Sequence, residues 1–129
     1  MQPVNLFALA TQQADWLASR QAAVAGNIAN VNTPGYKAVD VAPFQNVLDK
    51  TGVSLVATQK GHFGAMATEA GQSGTKLRED TSAVTVLPSK NSVVLENELL
   101  KAGEVSRNFE LNTAIVKAFH RMMMLSVKA

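Results

Sequence analysis

Apolar side chains recur at alternating spacings of three and four through the first thirty residues. The series Phe7, Ala10, Ala14, Leu17, Gln21, Val24, Ile28 and Val31 is apolar everywhere but at Gln21. That period belongs to an amphipathic helix with a narrow, coiled-coil-like seam. It predicts a helix from about Asn5 to Asn30, roughly 40 Å long at the helical rise. The other face offers Thr11, Gln12, Ser19, Asn27 and Asn30, and the segment's only charges are Asp15 and Arg20. A helix in water usually displays Lys and Glu there. Neutral amides and hydroxyls suit a face covered by neighbouring chains, where charge would cost desolvation energy. A water-facing helix that happens to be Gln-rich is the plainer alternative.

Asn32-Thr33-Pro34-Gly35 then ends the pattern as a turn. Pro34 presets its own φ and pushes Thr33 out of helical geometry, while Gly35 tolerates the positive φ of a type II turn. The apolar stretch Val39 to Leu48 is expected to add another turn or two of helix. From Gly52 to Lys90 no helical period survives, and five of the chain's eight glycines fall there. Two β-favouring pieces, Val53–Val56 and Ala83–Leu87, are expected to pair as a small hairpin-like arm. Two strands alone are marginal in water, so the arm is expected to be flexible before assembly and ordered afterwards.

A second helical pattern starts near Asn91-Ser92, which are plausible caps, and continues to the C-terminus without a proline. Glu98, Lys101, Glu104, Arg107 and Glu110 alternate in sign every three residues, the arrangement of i,i+3 ion pairs on a helix. Beyond them the apolar face doubles. Leu111, Ile115, Ala118, Met122 and Leu125 form one row, and Phe109, Val116, Met123 and Val127 another. Lys117, Arg121 and Lys128 suit the negative end of the helix dipole. A double row here against a single seam on the first helix requires more than one packing partner. The chain therefore divides into 1–50, an N-terminal helix and turn; 51–90, a Gly-rich arm; and 91–129, a C-terminal helix. The class is mainly α, an elongated helix pair with a short irregular or hairpin-like middle. The free monomer is expected to be mostly unfolded at its ends and to gain its long helices on assembly, because isolated helices are marginal in water.

Composition narrows the function. With 129 residues, 47% of them apolar but only 5% aromatic, thin helix-to-helix seams fit better than a thick centre. Zero cysteines remove disulfides and thiolate chemistry, and a net charge of +2 gives no argument for nucleic acid. No apolar run approaches the roughly 20 residues of a membrane span. The start, Met1 to Leu6, lacks the basic and apolar segments of a secretory signal. The protein is thus expected to stay inside, or to leave by a route that reads no cleavable signal.

Catalytic and cofactor sites find no support. His62 and His120 have no carboxylate at metal-ligand spacing and read as ordinary polar histidines. No serine stands in a nucleophile-elbow pattern. Gly61-His62-Phe63-Gly64 is too short to cradle phosphate, and Glu79-Asp80 reads as a solvated loop. Met122-Met123-Met124 reads as packing surface, for which methionine is well suited. An interfacial membrane helix would want more cations on its polar face.

The segment Asn27-Ile28-Ala29-Asn30-Val31-Asn32-Thr33-Pro34-Gly35-Tyr36-Lys37 resembles the signature of the bacterial flagellar rod and hook proteins. That family carries an Ala-Asn-x-x-Thr-Pro-Gly-Tyr-(Lys) run at the end of its N-terminal helix. Ala29, Asn30, Asn32, Thr33, Pro34, Gly35, Tyr36 and Lys37 carry the match. Asn91 to Glu98 resembles the start of the family's C-terminal helix. Phe109 departs from the tyrosine common in relatives, which removes only a hydroxyl. The short middle, with Thr58 and His62 spaced as in the proximal rod proteins, is similar to that branch and not to the large hook proteins.

The resemblance implies a structural subunit of the proximal rod that self-assembles into a helical, torque-transmitting tube. It implies homo-oligomeric contacts, other rod proteins and the membrane-ring base as partners, and the flagellar type III apparatus as export route. It places the protein in the basal body, within the periplasm, with no cleavable signal, cofactor, nucleic acid or membrane insertion. The assembly contacts are then expected at Leu17, Val24, Ile28, Phe109, Leu111, Ile115, Val116, Met122, Met123 and Leu125. A neighbouring member of the same family is the first alternative. A membrane-surface helical protein and a cytoplasmic adaptor are the others, and both leave Asn30 to Lys37 unexplained.

Overall fold

The computed structural model describes residues 5–50, 76–81 and 87–128. Helix α1 runs Leu6–Ala29, strand β1 Val39–Val41, helix α2 Phe44–Lys50, strand β2 Leu77–Glu79 and helix α3 Leu95–Lys128. The fold is mainly helical, with the two long helices packed together and a small antiparallel sheet beside them.

Helix α1 begins where Asn5 Oδ1 accepts from the backbone N–H groups of Phe7 and Ala8, at 3.2 and 3.3 Å. Two of the four N–H groups that a helix start leaves unpaired are thereby satisfied. The helix ends at Asn30, whose N–H reaches back to the Gly26 and Asn27 carbonyls. The expected stop before Pro34 is therefore where the chain turns. Of the expected seam, Ala10, Leu17 and Val24 are buried. Ala14, Ile28 and Val31 are half-buried, while Phe7 and Gln21 are exposed. Ala23 and Asn27 complete the inner face instead.

α3 lies antiparallel to α1. Asn27 meets Glu98, Arg20 meets Glu104, Asn112 Nδ2 donates to the Ala10 carbonyl at 3.0 Å, and Phe7 packs edge-on to Phe119 at 5.5 Å. The hairpin thus has a closed end, near Asn27 and Glu98, and an open end where α1 begins and α3 ends. The apolar core is thin: Leu17, Val24 and Val105 between the helices, and Ala38, Val41 and Val93 at the closed end.

Two expectations need correction. Val39 to Leu48 supplies the expected turn or two of helix only from Phe44, in α2; its first part is strand β1, because Pro43 keeps Ala42 out of helical geometry and the β-branched Val39 and Val41 favour a strand. β1 pairs with β2 in the register Val39 to Glu79, Asp40 to Arg78 and Val41 to Leu77. The hairpin expected from 53–56 and 83–87 lies outside the described residues except for Leu87, which belongs to no strand. The expected caps at Asn91 and Ser92 are the second. α3 opens only at Leu95, with the Val94 carbonyl accepting from the Glu98 N–H at 3.1 Å. Asn91 and Ser92 serve neighbouring segments instead.

Candidate functional site

The signature residues gather at the closed end. Asn30 folds its side chain back, donating to the Gly26 carbonyl at 2.8 Å and accepting from Thr33 Oγ1 at 3.1 Å. The Thr33 N–H closes on the Asn30 carbonyl at 3.0 Å. Ala29, Asn32 and Pro34 are exposed. Gly35 has φ +75°, and its N–H donates to the Ser89 carbonyl at 2.9 Å. A Cβ at Gly35 would meet nothing within 4 Å, so the glycine is required by backbone angle and not by space. Gly35→Val is expected to cost about 1–3 kcal/mol through the left-handed φ alone. Gly35→Asn, which tolerates that region, should retain most of the urea-unfolding midpoint that valine loses. Lys37 reaches out to Glu79 at 2.9 Å, and both side chains are largely exposed.

Two buried amides organise this end. Asn27 Nδ2 donates to the Val39 carbonyl at 2.7 Å and to Glu98 Oε2 at 3.1 Å. Its Oδ1 accepts from the Val39 N–H at 3.0 Å and from the Tyr36 hydroxyl at 3.4 Å. The helix therefore offers Val39 an amide partner much as a strand would, and every polar position of the side chain is used. Asn91 Nδ2 donates to the carbonyls of Asn30, Val31 and Thr33 at 2.8–3.0 Å. Its Oδ1 accepts from the Val93 N–H at 2.8 Å. Asn91 thus supplies donors to carbonyls that the end of α1 leaves open, from 60 residues away. Ser92 Oγ accepts from the Ala38 N–H, and the Ser92 N–H donates to the Tyr36 carbonyl.

The neutral face of α1 is consequently not all available to neighbouring chains, as its lack of charge suggested. Asn27 is fully buried within the chain. Asn30 is occupied in the turn, and Thr11 and Ser19 donate to the Phe7 and Asp15 carbonyls one turn back.

Beside the amides sits a charge cluster. Lys101 Nζ contacts Asp80, Glu98 Oε1 at 3.4 Å and Asp40 Oδ2 at 3.5 Å. Burial works against the Lys101 ammonium. The Asp80 hydrogen bond and the charges of Glu98, Asp40 and Asp80 outweigh it, so its pKa lies above the ordinary lysine value of 10.5. Arg20 adds a second cation, 3.3 Å from Glu104 and stacked 5.5 Å from the centre of the Trp16 ring. Arg20 Nε lies 3.4 Å from Asp40 without an aligned hydrogen bond, so that contact is one of charge. Trp16 in turn donates to the Ala42 carbonyl at 2.7 Å and packs on Phe44. The sign alternation expected to form i,i+3 pairs along α3 is therefore partly drawn toward α1 and β1. Glu98–Lys101 is its one i,i+3 pair among the described residues, and Glu104 turns to α1 instead.

The far half of α3 differs. Phe109, Leu111, Ile115, Met122, Met123 and Leu125 are all exposed, Leu125 by 64%, while Val116 is half-buried. The buried residues of this 34-residue helix are Glu98 and Val105, both in its first third. Leu17 and Val24, expected as assembly contacts, are buried inside the chain, and Ile28 is half-buried.

No group of three or more His, Asp or Glu among the described residues is arranged to hold a metal, and none of the described helices is long and apolar enough to cross a membrane. Residues 8–37 match the family model described as flagella basal body rod protein. The chain is 42% identical over 130 residues to the flagellar basal body rod protein FlgB of Agrobacterium fabrum (strain C58), covering 99% of this chain and 96% of that one. The chain belongs to the flagellar basal body rod proteins. It is a structural subunit of the flagellar basal body rod, located there, and not an enzyme.

The amide lock could have been suspected from sequence only through the signature itself, since Asn27 and Asn91 stand in ordinary helical and loop surroundings. Most of their partners are main-chain atoms, which leave no pattern in side-chain types.

Proposed function

We propose that the chain is a subunit of the proximal rod, and that copies of it assemble as a helical tube transmitting motor torque. Other rod proteins and the membrane-ring base are its neighbours in this reading. In the same reading, the flagellar type III apparatus exports it to the periplasm. The observation that supports self-assembly is the uncovered apolar half of α3, because a soluble chain gains nothing from leaving so many large side chains wet. An interface that joins unlike surfaces and does not close produces a filament or tube. The full-length similarity to FlgB favours that member over its neighbours.

Leu125→Asp tests the reading. At 64% exposure the substitution leaves the single chain's fold intact, yet in the assembly it buries an unpaired carboxylate. Export is expected to continue while rods vanish from basal-body preparations. Rods in normal number would contradict the proposal.

A further inference from the structure

From Leu111 to Lys128 the acids stop. The segment carries Lys117, His120, Arg121 and Lys128 and no Asp or Glu, whereas α3 before it holds Glu96, Glu98, Glu104 and Glu110. Lys117, Arg121 and Lys128 are exposed, and none of them forms an ion pair among the described residues. At 3.6 residues per turn the three share an arc of roughly 40°. Beside that arc runs the row Leu111, Ile115, Met122 and Leu125, 46–64% exposed. The cations border one side of the row, while Asn112 and Phe119, which touch α1, border the other.

We infer that the unassembled chain lays this end of α3 on an anionic bilayer surface. An apolar row roughly 20 Å long, with long cations along its border, is the arrangement of a helix lying in a membrane interface. The lysine and arginine stems cover the apolar boundary while their heads reach the lipid phosphates. Over the whole of α3 acids nearly match cations, which is why the helix reads poorly as a membrane binder. Their separation along its length changes that, because the acidic first part is repelled and contact is confined to roughly the last five turns. A neutral bilayer would take the apolar row but give the cations nothing. A soluble polyanion would take the cations but leave the row wet. An anionic bilayer satisfies both. Copies of the chain cover the same row in the assembly proposed above, so the bilayer contact belongs to the chain before it assembles.

The chain has no cysteine, so one introduced thiol can carry an environment-sensitive dye. Full-length chain, at a concentration where it sediments as a monomer, is mixed with vesicles of equal parts phosphatidylcholine and phosphatidylglycerol, or of phosphatidylcholine alone. Each cation near an anionic surface strengthens partition about fivefold. Binding to the anionic vesicles should therefore exceed binding to the neutral ones by at least about tenfold, and fall severalfold in high salt. A dye at Leu125→Cys should shift to the blue on binding, and one at the exposed Ala22→Cys of α1 should not. Lys117→Glu with Arg121→Glu should lower anionic binding to near the neutral-vesicle level. Lys76→Glu with Arg107→Glu makes the same change in net charge outside the segment and should lose far less.

Equal binding of the native chain to both vesicle types would overturn the inference in favour of a purely apolar contact. A blue shift at Ala22 but not at Leu125 would overturn the surface assigned. Binding to inorganic polyphosphate with no blue shift on vesicles would assign the cations to a soluble anion and overturn it as well. No binding to any vesicle would overturn the inference while leaving self-assembly standing, since association between copies is measured separately by sedimentation without lipid.

Discussion

Lys101→Met is expected to be the most damaging single substitution at the closed end, costing on the order of 3 kcal/mol, at the low end for a buried charge left without its partner. Methionine matches the length of the lysine stem but leaves Asp80, Glu98 and Asp40 facing one another. The loss is therefore mutual repulsion among carboxylates more than lost packing. A double-mutant cycle with Glu98→Gln separates the two. If repulsion dominates, Glu98→Gln should recover part of what Lys101→Met loses; if packing dominates, it should add a further loss.

The same cluster sets a pH dependence. Because the Lys101 pKa is raised on folding, its stabilisation is fully present below its unfolded value near 10.5 and is lost as pH rises through the higher folded value. Urea midpoints of the native chain should fall above pH 10.5 more steeply than those of Lys101→Met.

Asn91→Asp is the second large effect, also on the order of 3 kcal/mol, and it should exceed Asn91→Ala. Alanine removes the Asn91 partner of the Val31 carbonyl and of the Val93 N–H, at about 1–3 kcal/mol for each group that stays buried and unpaired. It leaves the Asn30 and Thr33 carbonyls with only their turn hydrogen bonds from the Thr33 and Tyr36 N–H groups. Aspartate keeps the acceptor for Val93 but turns the donor end into an anion against three carbonyls, where the negative end of the α1 dipole already lies. At 1% exposure the residue has no water to escape into. Equal unfolding midpoints for the two variants would mean that Asn91 matters as a space-filler rather than as a donor.

Side-chain periodicity made the long elements legible. Ala10, Leu17 and Val24 recur every seven residues and form the inner line of α1, and the doubled apolar face of α3 announced surface that one partner helix cannot cover. What stayed hidden is of another kind. Asn27 and Asn91 pair mostly with main-chain atoms brought from 12 to 61 residues away. Such partners are the same for every residue type and leave no trace in composition. The i,i+3 alternation set Glu98 beside Lys101 but gave no sign that it is buried, with Asn27 bonded to it from α1. The strand at Val39–Val41 was masked by an apolar run short enough to suit either structure.

The account divides α3 into a first part locked to α1 within the chain and a second part completed by other copies. Amide hydrogen exchange on verified dilute monomer, repeated after assembly, tests that division most directly. The prediction is graded protection: strong near Asn27, Leu17 and Glu98 in the monomer, weak from Leu111 to Lys128, with the weak segment becoming protected only on assembly. Strong protection at Ile115 and Leu125 in the monomer would show that the far half folds without a partner and would contradict the account.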